Sequence, residues 1–192
     1  MQKGEKVRCQ NIIKNLSYIM EEFSKNKGDL FQRLADRMCE SLKAGRKILV
    51  FGNGGSAAQA QHFCAELVNE FLIDRPAICA ISLTTDTSAL TSIANDSSFD
   101  YVFSRQIEAL GTKGDIAIGL STSGNSPNII EAIKTAKKRG LLTAAFTGEG
   151  GGNLASLPDF LIDVPSEETP RIQEIHLILL HLLAQKIEED LS

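Results

Sequence analysis

Several features are missing from this 192-residue chain, and each absence excludes a class of protein. No stretch approaches the roughly 20 consecutive apolar residues of a membrane-spanning helix. The four cysteines form no C-x-x-C pair, so neither a disulfide framework nor a zinc knuckle is expected, and buried thiols in a reducing compartment are predicted instead. The formal net charge is −4 with both signs interspersed, so no basic field attracts nucleic acid or an anionic membrane.

What remains is typical of a soluble enzyme-sized domain. Apolar residues make up 43% of the chain and charged residues 23%, which is ordinary for a globular protein with a real core. The N-terminal segment is amphipathic and unlike a signal peptide, so a cytoplasmic location is expected. No repeat or linker interrupts the sequence, and residues 1–192 are predicted to form a single domain.

The first 45 residues predict two helices that precede any strand. Apolar residues recur at helical spacing on both sides of Gly28-Asp29, which is expected to end the first helix and cap the second. This apolar surface exceeds what one sheet face needs, so the extension 1–45 is expected to contact another subunit. The two stripes are Val7, Ile12, Ile13, Leu16, Ile19, Met20 and Phe23, then Leu30, Phe31, Leu34, Met38 and Leu42.

Five short apolar runs follow, separated by helical stretches. Buried strands that alternate with helices predict a parallel sheet covered on both faces. We therefore expect an α/β fold with a doubly wound parallel five-stranded sheet and a long C-terminal helix. The strands are expected near 47–51, 78–83, 115–120, 142–147 and 160–164, and the helices near 56–71, 86–110, 126–139, 153–157 and 170–191.

A glycine-rich turn links the first predicted strand to its helix. It reads Gly52-Asn53-Gly54-Gly55-Ser56 and would let a ligand approach the backbone at a helix N-terminus. The spacing is not the G-x-G-x-x-G pattern of dinucleotide-binding proteins. By itself the turn is weak evidence for function.

A run of hydroxyl side chains ends the third predicted strand. It contains Ser121, Thr122, Ser123 and Ser126, followed by Pro127 at the start of a helix. A serine-rich turn with Ser126 as N-cap would explain only one of the four hydroxyls. Hydroxyls and helix N–H groups together can bind a phosphate dianion without Lys or Arg, so this loop is predicted to bind phosphate.

These two loops, with Thr147-Gly148 after the fourth strand, resemble the sugar isomerase (SIS) domain family, which has a flavodoxin-like fold. Within it, the chain is most similar to the phosphoheptose isomerase family, and the resemblance covers nearly the whole sequence. The serine run is shared widely among SIS proteins, whereas the His–Glu and Gln–His pairs are far more specific. Further matching segments are Gln61–Leu67, Ala94–Asp96, Phe103–Gln106 and Arg171–His176.

The resemblance implies a reaction, a location and an assembly. The expected reaction converts sedoheptulose 7-phosphate into D-glycero-D-manno-heptose 7-phosphate through an enediol. The product would serve as a heptose precursor of lipopolysaccharide or other surface glycans. The implied assembly is a homotetramer with its sites at subunit interfaces.

The resemblance also assigns roles to individual residues. Glu66 is the implied base and His181 the implied acid, while zinc would be held by His62, Glu66, Gln173 and His181. His62 and Glu66 stand at i and i+4, so they share one helix face. The residues implied to bind substrate are Asn53, Gly54, Gly55, Ser56, Glu66, Asn95, Asp96, Ser121, Thr122, Ser123, Ser126 and Gln173.

Spacing along the terminal helix adds a hypothesis about assembly. Gln173 and His181 are eight residues apart, about 12 Å along a helix, too far for both to reach one ion easily. At least one site residue is therefore expected from a neighbouring subunit. His176 lies roughly 140° around the helix from His181 and is expected either to be structural or to support the residues of the site.

Several alternatives remain open at this point. His62 and Glu66 could be an ordinary surface pair, and His181 a core histidine. A non-catalytic SIS tetramer that associates with the replication initiator is disfavoured because Glu66 and His181 are both present. An isomerase of another phosphosugar is also possible, since Glu70 and Pro170 depart from residues common in the resembled family.

Overall fold

Five short strands and six helices make up the computed structural model, which describes the backbone of residues 3–192 and the side chains of residues 9–192. Two 3₁₀ turns, Phe99–Tyr101 and Gly152–Leu154, complete the secondary structure. The strands are β1 (Ile48–Gly52), β2 (Ala80–Ser82), β3 (Ile116–Ser121), β4 (Leu142–Thr147) and β5 (Phe160–Asp163). The helices are α1 (Lys3–Lys43), α2 (Gly55–Val68), α3 (Thr87–Asp96), α4 (Ser104–Leu110), α5 (Pro127–Lys138) and α6 (Thr169–Leu191).

The strands form one parallel sheet in the order β2-β1-β3-β4-β5. In the central pairing, Ile48 lies opposite Ile116 and Gly52 opposite Leu120. The predicted doubly wound α/β fold is confirmed. The strand order reverses between β1 and β3, and ligands of such sheets bind in the crevice outside the carboxyl ends at that switch point.

Each face of the sheet is covered by its own hydrophobic core. One core joins α1, α2 and α6 to the sheet through side chains such as Met38, Phe63 and Leu180. The other joins α4 and α5 through side chains such as Phe103 and Ile133. The helices that begin at the switch point, α2 and α5, therefore lie on opposite faces, and their N-termini flank the crevice from both sides.

The predicted break at Gly28-Asp29 is wrong, because α1 runs unbroken from Lys3 to Lys43. A glycine inside a helix costs only about 1 kcal/mol relative to alanine. Buried side chains on both sides of it, including Phe23 and Leu34, pack into the same core and offset that cost. The Lys27 ammonium also lies 2.7 Å from the Asp163 carboxylate of β5. Val7 of the first predicted stripe lies outside the residues whose side chains are described.

The predicted helix over 86–110 is three separate pieces: α3, the 3₁₀ turn Phe99–Tyr101, and α4. Local capping explains the division, since the Asp86 carboxylate accepts from the Ala89 N–H and the Ser98 hydroxyl accepts from the Asp100 N–H. Each cap begins a new element. The short helix predicted over 153–157 is the 3₁₀ turn Gly152–Leu154. None of the helices within residues 3–192 has the length and apolar character needed to cross a membrane.

Candidate active site

Two helix N-termini without side-chain caps face the β1/β3 crevice. Gly54 precedes α2 with a φ of 53°, and Ser126 precedes α5; neither position supplies a capping side-chain hydrogen bond. By contrast, Asp86 caps α3 with its carboxylate. Free N–H groups at a helix N-terminus attract anions. The N–H groups of Gly55 in α2 and Asn128 in α5 have no backbone partner among the described residues, so each helix start offers an anion a donor, from opposite sides of the crevice.

The serine loop, residues 121–126, lies at the start of α5. Ser126 is at the N-cap as predicted, but its hydroxyl lies 3.1 Å from the Ser121 hydroxyl instead of capping the helix. The exposed Ser123 hydroxyl accepts from the Asn125 N–H at 3.2 Å, and the Thr122 carbonyl accepts from the Gly148 N–H. Three of the hydroxyls, those of Ser121, Ser123 and Ser126, are thus held by the loop itself, in a compact turn at the start of α5.

The serine loop packs tightly on the segment that follows β4. A Cβ added to Gly124, whose φ is 66°, would lie 2.0 Å from the Gly151 carbonyl oxygen. The Asn125 side-chain oxygen accepts from the Asn153 N–H at 2.9 Å. Only glycine fits such a close approach with a positive φ. The shape of the serine loop therefore depends on the Gly148–Asn153 segment, which sequence reasoning did not connect to it.

An amide pair joins the glycine loop, residues 52–56, to α5. Asn53 and Asn128 exchange two side-chain hydrogen bonds, each of 2.9 Å. Asn128 is buried and was missed by sequence reasoning, because one sequence cannot show a pairing across 75 residues. Asn53 was predicted to contact the sugar, but in this structure its amide is engaged by Asn128. Ser56 is buried beneath Gly52.

Helices α2 and α6 run side by side in the same direction below the glycine loop. A Cβ on Gly55 would lie 2.8 Å from the Gln173 amide nitrogen, so the absence of a side chain there makes room for Gln173. The Gln59 side-chain amide donates to the backbone carbonyl of Gln173 at 2.6 Å. Gln173 is thereby placed at the glycine loop.

Farther along the same pair of helices, His62 of α2 meets His181 of α6. Their Nε2 atoms are 2.7 Å apart, and the other ring nitrogen of His62, Nδ1, lies 3.4 Å from a Glu66 carboxylate oxygen. The Phe71 ring lies against His181, with centroids 5.3 Å apart. The cluster borders an open depression of 270 Å³ whose lining includes His62 and Leu177. Three of the four predicted zinc ligands are thus neighbours, and the fourth, Gln173, is not among them.

The chemical types of the donor atoms in this cluster suit zinc, but the spacing between them does not match zinc coordination. Two imidazole nitrogens and a carboxylate are ligands that zinc accepts, but tetrahedral geometry separates two bound nitrogens by about 3.3 Å, more than the spacing between His62 and His181. In the part of the chain from residue 9 onward, no three His, Cys, Asp or Glu side chains converge as a metal ion requires. A single chain therefore presents two facing imidazoles with Glu66 behind one of them.

The remaining predicted residues lie elsewhere. Asn95 and Asp96 are at the exposed end of α3, where the Asn95 amide donates to the Asp96 carboxylate at 2.8 Å. Among the described side chains, neither makes a hydrogen bond to another predicted site residue. A larger depression of 710 Å³ at the C-terminal end of α5, lined partly by Lys138 and Arg139, is far from the switch-point loops.

His176 is a core residue, as predicted. Its ring is fully buried, its Nε2–H donates to the Thr147 carbonyl at 3.1 Å, and Nδ1 has no protein partner. Burial lowers the pKa of His176 to about 4. His176 therefore stays neutral at physiological pH and holds the carboxyl end of β4, where the Gly148–Asn153 segment begins.

Comparison with known proteins identifies the family. The SIS domain matches residues 12–148. The chain is 56% identical to the phosphoheptose isomerase of Desulfovibrio desulfuricans over 167 residues, which cover 87% of this chain and 80% of that protein. The chain belongs to the phosphoheptose isomerase family. It is also 52% identical to phosphoheptose isomerase 1 of Campylobacter jejuni over 157 residues, 82% of this chain and 84% of that one.

Solved structures agree with this membership. The phosphoheptose isomerase of Neisseria gonorrhoeae is 42% identical and superposes with a TM-score of 0.89, covering 96% of this chain and 98% of that one. The Francisella tularensis phosphoheptose isomerase is 33% identical with a TM-score of 0.91, over 98% of this chain and 100% of that one. These findings confirm the family resemblance and favour neither the non-catalytic tetramer nor another phosphosugar isomerase.

Proposed function

We propose that this protein is an aldose–ketose isomerase that converts sedoheptulose 7-phosphate into D-glycero-D-manno-heptose 7-phosphate. The observation that carries the proposal is the cluster of His62, Glu66 and His181, which gathers two imidazoles and a carboxylate below the switch-point crevice. Such an isomerisation needs one group to move a proton between two carbons and another to manage protons on two oxygens. The family membership supplies the substrate class.

The phosphate would bind at the crevice and orient the sugar. Uncapped N-termini of α2 and α5 supply N–H donors, and Ser121, Ser123 and Ser126 supply hydroxyls. Backbone dipoles and hydroxyls suffice for a dianion in a partly enclosed site. Asn53 would then act chiefly by holding the glycine loop, so that Gly54 and Gly55 can approach the sugar.

Proton transfer would fall to Glu66 and His181. Glu66 removes a proton from C1 of the ketose, while His181 donates a proton to O2, giving an enediol. The proton held by Glu66 then returns to C2 while O1 gives its proton back to His181, which leaves an aldehyde at C1 and restores both groups. Glu66 suits the first role because its side chain is only 21% exposed and so is partly shielded from water. His181 suits the second because an imidazole ring can both donate and accept a proton at its nitrogens.

We further propose zinc as the metal of this site, held by His62 and His181 with Glu66, and with Gln173 as a fourth ligand in the assembled protein. Glu66 and His181 would then have to leave the zinc during turnover to act as base and acid. Bound zinc would polarise the substrate oxygens as a Lewis acid. Metal analysis before and after chelation, on the native protein and on His62→Ala, tests this directly. About one zinc per subunit in the native protein and none in the variant is expected; equal zinc content in both would contradict the ligand assignment.

A homotetramer is proposed as the working assembly. Gln173 lies at the glycine loop while His181 lies at His62, so one chain does not bring all the predicted ligands together. Exposed apolar side chains on α1, near the end of α2 and on α6 offer surface for neighbouring subunits; examples are Ile13, Tyr18, Leu72, Ile73 and Leu182. Sedimentation of the active protein tests this, and a fully active monomer would refute it.

The cellular role proposed is supply of heptose phosphate for lipopolysaccharide or other surface glycans, from the cytoplasm. The direct test of the activity is incubation of purified protein with sedoheptulose 7-phosphate, followed by carbon NMR. Fructose 6-phosphate serves as the matched shorter ketose. An aldoheptose phosphate signal from the first substrate and none from the second supports the proposal, whereas the opposite preference would favour isomerisation of another phosphosugar.

A further inference from the structure

We propose that Arg75 and Glu188 form a positioning pair that fixes the base and the acid relative to each other. Neither residue touches a side chain of the site, and neither was singled out from the sequence. The inference rests on the proposed function, because it assigns Glu66 and His181 as the groups being positioned. The pair is buried, and it contacts the backbone of Glu66 on one side and the loop that packs on His181 on the other.

The first half of the pair binds the end of α2. Arg75 is 2% exposed at its side chain, and its guanidinium donates to the carbonyls of Glu66 at 2.8 Å and Leu67 at 2.7 Å. Longer bonds reach the carbonyls of Asn69 and Pro76. A helix leaves its last carbonyls without partners, and a guanidinium can satisfy several at once. One of the carbonyls that Arg75 holds is therefore that of the base residue itself.

The second half of the pair binds the loop that follows α2. Glu188, 1% exposed at its side chain, accepts from the N–H groups of Phe71, Leu72 and Ile73 at 2.7–3.1 Å. Its carboxylate forms an ion pair with Arg75 Nε at 3.2 Å, and Nε makes no hydrogen bond to any described residue. Although burial raises the pKa of Glu188, these donors and Arg75 hold it below its usual range. The carboxylate thus fixes the backbone of three consecutive loop residues.

The loop in turn contacts the acid. The Phe71 ring lies 5.3 Å from the His181 ring at an interplanar angle of 36°, so fixing the Phe71 backbone fixes a surface against which the imidazole rests. Glu188 follows His181 by seven residues, about two turns, and therefore lies on nearly the same face of α6. One end of the ion pair reaches Glu66 and the other end reaches His181 through Phe71.

A charged pair at this place calls for a reason beyond stability. Removing two charges from water is expensive, and apolar residues of similar volume often stabilise a protein equally well or better. Arg75 and Glu188 together make seven directed hydrogen bonds, all to backbone atoms of the short segment 66–76. Displacements near 1 Å can cost about a hundredfold in rate, so a fixed segment between base and acid would directly serve turnover.

The test compares Glu188→Gln with a matched control, Asp115→Asn. Asp115 also carries a buried carboxylate, but among the described residues the hydrogen bonds of that carboxylate go only to Lys47 and Thr112, before the central strand β3, and none reaches α2, α6 or the Phe71–Ile73 loop. Both variants are isosteric and remove one buried charge. Glu188→Gln should lower kcat by about tenfold or more with KM within about threefold. Asp115→Asn should lower thermal stability and leave kcat unchanged.

Two further variants keep the inference testable if Glu188→Gln folds poorly. Arg75→Lys retains the charge but loses the fork of donors, and Phe71→Leu removes only the ring; each should lower kcat more than it raises KM. The proposal is overturned if kcat is unchanged in both variants. It is also overturned if kcat falls in Asp115→Asn as well, in proportion to the loss of melting temperature in each variant.

A structural measurement separates this inference from the proposed function. A crystal structure of Glu188→Gln should show the Phe71 ring displaced from His181, whether or not the native protein isomerises the heptose phosphate. An unmoved ring would refute the positioning role even in an active enzyme. If the native protein is inactive but the Phe71 ring is displaced in Glu188→Gln, the proposed activity is contradicted while the positioning role of the pair stands.

Discussion

The native chain should lose stability on mild acidification because of His176, and His176→Gln should remove that loss. The unfolded histidine titrates near 6.5 and the folded one near 4, because the folded ring is fully buried and Nδ1 has no partner to stabilise a proton. Between these two pH values the unfolded state binds a proton that the folded state does not. Stability from His176 is therefore full above pH 6.5 and falls as the pH drops toward 4.

The expected size follows from the two pKa values. Each pH unit between them costs about 1.4 kcal/mol, so the loss from pH 7.5 to pH 5 is about 2 kcal/mol. Asp115, Asp159 and Glu188 have pKa values below their usual ranges, so the stability they contribute is lost only at more acidic pH. The window above pH 5 therefore isolates the buried histidine from these carboxylates.

The assay is urea unfolding at pH 7.5 and pH 5 with equal protomer concentration, since assembly shifts apparent stability. Glutamine can still donate to the Thr147 carbonyl but does not titrate. The variant should be less stable than the native chain at pH 7.5, yet the native chain should lose about 2 kcal/mol more on acidification. An equal loss in both proteins would show that His176 is not buried in its neutral form.

The other predictions concern the loops at the switch point. Asn128→Asp places two acceptor oxygens against Asn53 and should raise KM about tenfold at pH 8, with kcat changed less, in steady-state assays. Gly124→Ala would collide with the segment after β4 and should lower the free energy of unfolding by at least ~2 kcal/mol. Replacing Ser121 and Ser123 together by alanine should raise KM strongly while the melting temperature changes little; an unchanged KM would remove the serine loop from the phosphate site.

The sheet could be predicted from the sequence because its signals are local. Short, mostly apolar runs at 48–52 and 116–121 are buried along their whole length, which is typical of parallel strands covered on both faces. The helix boundaries were harder. Gly28 is a strong local break signal, but packing on both sides and the Lys27–Asp163 pair outweigh it. The single-domain organisation over residues 1–192 stays a prediction.

The candidate site was predictable where residue type alone carries chemistry. His62, Glu66 and His181 could be proposed from the i, i+4 spacing and the resemblance, and they lie together. Asn128 and Glu188 could not, because their importance comes from partners 75 and 113–117 residues away. The only local signal that would have marked Asn128 and Glu188 is a polar residue at a helix position predicted to face the core.

Turnover of Glu66→Gln in heavy water tests the central claim most directly. The native protein should convert sedoheptulose 7-phosphate with deuterium entering C2 of the aldose, because a proton held by Glu66 exchanges with solvent before it returns. Glu66→Gln keeps the shape of the side chain and should lower kcat by roughly a hundredfold or more with folding intact. Native turnover in the variant, or a product without deuterium, would contradict an enediol mechanism with Glu66 as the base.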